Sequence, residues 1–181
     1  MRSTIISATA LTVAALTLSY SPAVAGDTTI ADARDIDHGV DLRSVTVKHN
    51  TDNIVVTTIH ANLERSARSG SAGAVYLDTD RSAAGPEYVF VGGYFEGTDY
   101  QLLETQGFGA AKWADPVDGS YRLRLNYDRE LVRMRISRET VGSPTEVRVA
   151  VRVSGTGIGG TTNGVVDWLG EPRSFSDWVA Q

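Results

Sequence analysis

Apolar and polar residues alternate along much of this chain, a pattern that predicts strands and not helices. Within Tyr121–Tyr127, the residues Tyr121, Leu123, Leu125 and Tyr127 share one face. Leu131–Ile136 does the same with Val132, Met134 and Ile136, and Thr145–Val153 with Val147, Val149, Val151 and Val153. A period of two with polar residues on the other face marks a strand with one buried side. Asp128-Arg129 reads as the turn between the first two segments, and Ser137–Pro144 as a longer connection to the third. Upstream, Arg43–His49 alternates through Val45 and Val47, and Asn53–Leu63 is β-branched and long enough for a central strand.

The densest stretch is Val75–Thr105, around which the rest of the chain is organised. It reads as three strands, Ala74–Asp78, Glu87–Tyr94 and Asp99–Thr105, broken by Gly92-Gly93 and Gly97. Glu64–Gly73 is a polar connection before it. Phe108–Asp115 is a weaker segment after it, ended by Pro116. Gly155–Gln181 opens in a Gly/Thr/Asn loop and closes with Trp168, Phe175 and Trp178, read as a tail docking on the body. Closely spaced strands with no amphipathic helix predict an all-β, antiparallel β-sandwich of jelly-roll type in a single domain. The domain is expected to span residues 43–181, with residues 26–42, polar and acidic, as an N-terminal arm.

Residues 1–25 are read apart from the fold. Arg2, the apolar run Ile5–Leu18 and Ala23-Val24-Ala25 form the charged start, hydrophobic middle and small-residue cleavage site of a secretory signal peptide. That run is shorter than the roughly 20 apolar residues a membrane-spanning helix needs. The competing reading is a buried helix or a retained anchor. Removing 25 of the 181 residues leaves 156, enough to bury a core without staples, and the chain has no cysteine. The expected product is secreted, with no membrane span in the mature chain. Its formal charge moves from −5 to −6 once Arg2 is lost, which argues against nucleic acid as a partner. Arginine outnumbers lysine 15 to 2, a bias that fits a GC-rich, actinobacterial coding sequence.

Several motifs fail on their physics. Gly155-x-Gly157-x-x-Gly160 matches a dinucleotide fingerprint, but no helix follows to hold a pyrophosphate at its N-terminus. Asp78-x-Asp80-x-Ser82 starts like an EF-hand loop, yet Ala83 stands where glycine is needed and Val89 where glutamate is. His38, His49 and His60 have no metal-ligand spacing, and Ser69–Gly73 lacks the first glycine of a nucleophile elbow. No carboxylate pair is singled out for glycoside hydrolysis, so an enzyme is unsupported.

Three features remain. Asp78, Asp80, Glu87 and Asp99 lie at the ends of adjacent predicted strands and are candidate ligands for Ca2+, although Asp78 and Asp80 also suit a plain turn. Tyr94, Phe95, Tyr100 and Trp113 flank glycine-rich turns and are candidates for a sugar-stacking platform, with core packing as the alternative. Arg122, Arg124, Arg133 and Arg135 point away from the apolar faces of their strands, as do Arg148 and Arg152. If the three clean strands pair in sequence order, six guanidiniums share one face. Arginine's planar fork suits carboxylate and phosphate, so that face is a candidate for an acidic polymer. The alternative is a solvated surface screened by Glu130, Glu146 and salt.

VYLDTD, GPEYVFVGG and GTDYQLLE, with the arginine-bearing strand pairs, resemble small exported actinobacterial proteins of unassigned function. More distantly, Val45–Val153 resembles the DOMON-like and family-9-like carbohydrate-binding sandwiches. That resemblance implies a jelly-roll-like fold and, in some members, sugar, calcium or haem. Haem does not carry over, because Met134 is predicted to point inward without a partner histidine, and no sugar-clamping tryptophan pair can be mapped. The expected function is a secreted, non-catalytic binding module for an extracellular or cell-wall glycan. The alternative is an envelope-associated protein-interaction or structural domain.

Overall fold

The alternating segments pair into two antiparallel sheets whose apolar faces meet. The computed structural model describes residues 26–157 and 164–181. Residues 1–25, read above as a signal peptide, and most of the loop around Gly160 lie outside the described residues. One sheet is built from β1 (Asp27–Ala31), β2 (Leu42–His49), β3 (Asn53–His60), β8 (Tyr121–Asn126) and β9 (Leu131–Ser137), in the order β1-β2-β3-β9-β8. The other contains β4 (Ala72–Asp78), β5 (Tyr88–Gly93), β6 (Tyr100–Thr105), β7 (Trp113–Pro116), β10 (Glu146–Gly155) and β11 (Val165–Trp168), in the order β11-β10-β4-β5-β6-β7. β12 (Val179–Ala180) pairs with the start of β10, on the same edge that carries β11. This is the antiparallel β-sandwich expected from the alternation. No helix among the described residues is long and apolar enough to cross a membrane.

The core sits between the sheets. Val45, Val47, Ile54, Val56, Val132, Met134 and Ile136 meet Val75, Leu77, Phe90, Leu102 and the four valines of β10 in one buried cluster. A second cluster lies on the outer face of the seven-stranded sheet, where Tyr76, Val89, Leu103 and Ala150 are covered by Phe108, Trp113, Trp168 and Phe175. β4 is thereby buried on both faces, which is why its run reads as continuously apolar and not as alternating. The tail supplies part of that cover. It is also tied to the opposite sheet, since the Nδ1–H of His49 on β2 donates to the Val179 carbonyl at 3.1 Å.

Two expectations change. The acidic stretch read as a lead-in arm forms the edge strand β1 and the loop to β2. The three clean strands also do not run as one meander. β8 and β9 pair, but β10 leaves for the other sheet and lies against β4. The physical reason is that both sheets offer the same kind of apolar inner face, so alternation identifies the buried side of β10 without identifying its neighbour. Local chemistry in the connection decides. A 3-10 turn at Arg138–Val141 ends at Gly142, whose φ of +77° suits glycine. Across that turn the Arg138 guanidinium donates to the carbonyls of Thr51 (2.9 Å), Ser143 (3.1 Å) and Pro144 (2.8 Å). It clasps the end of β9, the β2–β3 turn and the approach to β10 together.

Changing Arg138 to Ala removes a charged donor from three carbonyls and should lower unfolding free energy by about 2–3 kcal/mol. A urea midpoint that falls at unchanged slope is the expected reading. An unmoved midpoint would show the clasp to be dispensable.

His60 gives a second expectation. Buried at the end of β3, its Nδ1–H donates to the Val40 carbonyl (2.7 Å), leaving Nε2 to accept the Thr58 hydroxyl (2.7 Å). Burial outweighs the Val40 bond and the nearby Asp41 charge, and pulls its pKa down to about 4. The unfolded chain therefore takes up this proton first as pH falls. The stability contributed by neutral His60 is complete above about pH 6.5 and is lost as pH falls towards 4, at most roughly 3 kcal/mol. In an NMR titration the His60 ring signals should hold their neutral positions to about pH 5, and a midpoint near 6 would contradict this assignment.

Candidate functional site

The register of β9 against its neighbours builds the outer face of the five-stranded sheet in rows. One row runs Asp27, Lys48, Val55, Arg135, Arg122, and the next Thr29, Thr46, Thr57, Arg133, Arg124. All four arginines are exposed, and they stand directly opposite one another in two pairs, Arg122 with Arg135 and Arg124 with Arg133. Residues two apart on a strand are about 7 Å apart, so the two pairs form a compact block of four charges. Among the described residues none of the four has a carboxylate within ion-pair distance, while Lys48 on the same face pairs with Asp27. The four line a groove with Ser120 and Tyr121, of about 350 Å³.

Like charges directly opposite across strands are destabilising. A plain account covers half of this arrangement: β8 is an edge strand, and charges on an edge discourage pairing with other chains. It does not cover Arg133 and Arg135, which lie on the inner neighbour β9. The site therefore has a cost on β9 that edge protection leaves unexplained.

Around the β8 edge lies a wider open cleft of about 490 Å³, lined in part by Arg65, Phe95, Tyr100, Leu125 and Tyr127. Arg65 bonds Glu96 at 2.6 Å and lies over the Tyr127 ring at 4.6 Å. Tyr121 of the arginine groove stands edge-on to Tyr100 of the cleft, centroids 6.2 Å apart, and Tyr100 stacks on Phe90. Tyr100 is 38% exposed, so its ring meets solvent in this cleft, which none of the four arginines lines.

The other expected site residues are dispersed. Tyr94 is fully buried, edge-on to His60, with its hydroxyl over Gly73, where a Cβ would stand 1.7 Å from it. Burial raises its pKa, and no ligand can reach it. Trp113 packs in the outer cluster of the seven-stranded sheet, on the opposite face of that sheet from Tyr100, so the aromatics form no common platform.

The four acids read as calcium ligands do not converge either. Glu87 lies beside Thr105, and Asp99 beside Gly93 at the other end of β5, about 20 Å away. An antiparallel hairpin places the start of β6 against the end of β5, which sequence proximity conceals. Asp78 is fully buried and accepts from Arg148 at 2.7 Å, while Arg148 also lies over Phe175 and Trp178. Glu87 accepts from the Thr79 backbone and hydroxyl, and Asp80 from Ser82, which holds its carboxyl below the usual range. These are turn and ion-pair contacts. Arg148 accordingly drops out of the arginine face, and Arg152 lies with it on β10 in the other sheet.

Sequence reasoning missed a different acidic group. Asp35 and Asp41 in the β1–β2 loop and Asp167 on β11 bring one carboxylate oxygen each within 4.8 Å of one another. Asp32 is close by. Asp41 accepts from the backbone N–H groups of Asp35 (3.2 Å) and Ile36 (3.1 Å), and Asp167 from that of Leu42 (2.8 Å). Burial raises the Asp167 pKa to about 6, and repulsion from Asp35, Asp32 and Asp41 adds to it against the lowering effect of Leu42. Asp32 is raised as well, chiefly by burial. The signal was four aspartates in ten residues (32, 35, 37, 41), but Asp167 lies over a hundred residues away and pairing alone brings it there.

No protein-family model, curated protein or solved structure matches this chain, so function has to be argued from these two charged sites.

Proposed function

We propose that this chain is an exported, non-catalytic binding module for an anionic extracellular or cell-wall glycan, held on the outer face of the five-stranded sheet. The observation that carries the reading is the pairing of Arg122 with Arg135 and Arg124 with Arg133, directly opposite and, among the described residues, without carboxylate partners. Four guanidiniums on a sheet offer a rigid array of forked donors to carboxylates or phosphates along a polymer. Thr46 and Thr57 extend the face with hydroxyls. The overall acidity of the chain does not oppose this, because beyond a Debye length of roughly 10 Å at 0.1 M salt distant charges are largely screened.

Two measurements test it. The purified protein should bind an acidic polysaccharide more tightly than a neutral one, and more weakly as salt rises. The double change Arg124→Ser with Arg133→Ser should weaken that binding roughly ten- to hundredfold, as loss of charge-assisted contacts predicts. Equal binding of acidic and neutral polymers, or no loss in the double variant, would leave the face as a solvated surface and favour the protein-interaction alternative.

Stability should move the other way. Arg133→Thr relieves a like-charge pair and continues the threonine row, so at low salt it should raise unfolding free energy by about 0.5 kcal/mol. A variant that gains stability while losing the ligand marks a residue kept for binding. A loss of stability would mean that the arginines support the sheet.

A further inference from the structure

We infer that Asp35, Asp41 and Asp167, with Asp32 beside them, form a divalent-cation site suited to calcium that joins the β1–β2 loop to β11. The acids alone would not carry this. What points to a ligand is that buried carboxylate oxygens are left without partners. Asp167 is 3% exposed and its Oδ1 has no hydrogen-bond donor, although its Oδ2 is satisfied by Leu42. Asp32 repeats the pattern, with Oδ1 taken by the Gly170 N–H at 2.9 Å and Oδ2 buried and unpartnered. Asp41, fully buried, has Oδ2 at 3.2 Å from Arg43 Nε, an ion-pair distance without hydrogen-bond alignment.

The charges do not balance among the protein groups. Four carboxylates are gathered, and among the described residues Arg43 is the cation paired with them, since Arg34 is engaged outward with Asp37. Burying ionised carboxylates side by side is costly unless a cation neutralises them. One divalent ion together with Arg43 offsets three of the four negative charges.

The donors identify the ion class. All are oxygens, as calcium and magnesium prefer, and neither histidine nor cysteine belongs to the set. Oxygens lying within 4.8 Å of one another can share one ion, and calcium tolerates the irregular, partly water-completed shell that three or four carboxylates would give, whereas magnesium demands near-ideal octahedral geometry and dehydrates reluctantly. Asp35 is exposed and leaves a side for water or carbonyl ligands. The ligands come from a loop of one sheet and an edge strand of the other, so a bound ion would close that side of the sandwich, where the Leu42–Asp167 and Gly170–Asp32 bonds already bridge it.

Thermal melting in chelator and in millimolar calcium, with calorimetric titration of calcium chloride, tests the site. Calcium should bind at one ion per chain and raise Tm by roughly 5–10 °C at a hundredfold excess over Kd. Magnesium at the same concentration should raise it less. Asp35→Asn, at the exposed ligand, should abolish the calcium shift while melting at or above the wild-type temperature in chelator, because repulsion is relieved. Asp80→Asn, in the separate β4–β5 turn, should keep the full shift. Superimposable wild-type curves with and without calcium, or a shift that survives Asp35→Asn, would overturn the assignment.

Discussion

Two sheets that share one core must be crossed by the chain, and here the crossing is held by a guanidinium set against backbone carbonyls. Arg138 satisfies the carbonyls of Thr51, Ser143 and Pro144, which belong to three different segments at one corner. The β8–β9 hairpin ends there, and β10 begins in the other sheet. Had the chain turned back in a tight hairpin, β10 would have paired with β9. The corner thus fixes both charged features at once. It sends Arg148 to Asp78, where a buried carboxylate needs a cation, and it leaves β9 flanked by β3 and β8. Arg133 and Arg135 then stand between uncharged Thr57 and Val55 on one side and Arg124 and Arg122 on the other.

How much of this was legible depends on how local the deciding physics is. Val132, Met134, Ile136 and the β10 valines announced their buried faces because alternation is a property of adjacent residues, and all are in the core. The docking of Trp168 and Phe175 was legible from their size at a polar chain end. Pairing was not legible, since the inner faces of both sheets accept the same side chains. The candidate sites followed suit. Arg122, Arg124, Arg133 and Arg135 lie on neighbouring strands joined by a short turn, so their shared face could be read. Asp99 was misplaced because hairpin direction reverses strand ends, and Tyr94 because a glycine at position 73 opens an interior slot for its ring. Asp167 could be joined to Asp35 and Asp41 only by knowing that β11 lies beside that loop.

The net charge of the chain conceals a separation. The carboxylates gather where the β1–β2 loop meets β11, while the unpaired arginines gather on β8 and β9, and β1 and β8 are opposite edges of the same sheet. An averaged charge of −5 describes neither region. Over such a distance physiological salt screens one from the other, so neither cluster neutralises its counterpart. Each must be balanced locally, by ions in solution or by something bound.

That requirement separates these clusters from the other charged groups. Asp78 with Arg148, Arg65 with Glu96 and Lys48 with Asp27 each place opposite charges together, as a fold selected for stability does. Among the described residues, the Asp cluster and the four arginines break the rule, one in each sign. A sequence with freedom to vary would lose a repulsive pair such as Arg124 and Arg133 cheaply, because threonine already fills the same row in β1, β2 and β3. Sites that contradict the local logic of an otherwise consistent fold are where function is expected to lie. The two signs also point to different partners by the same argument: a half-buried negative cluster with one open side fits a small cation, and an exposed row of positive charges fits a long anion.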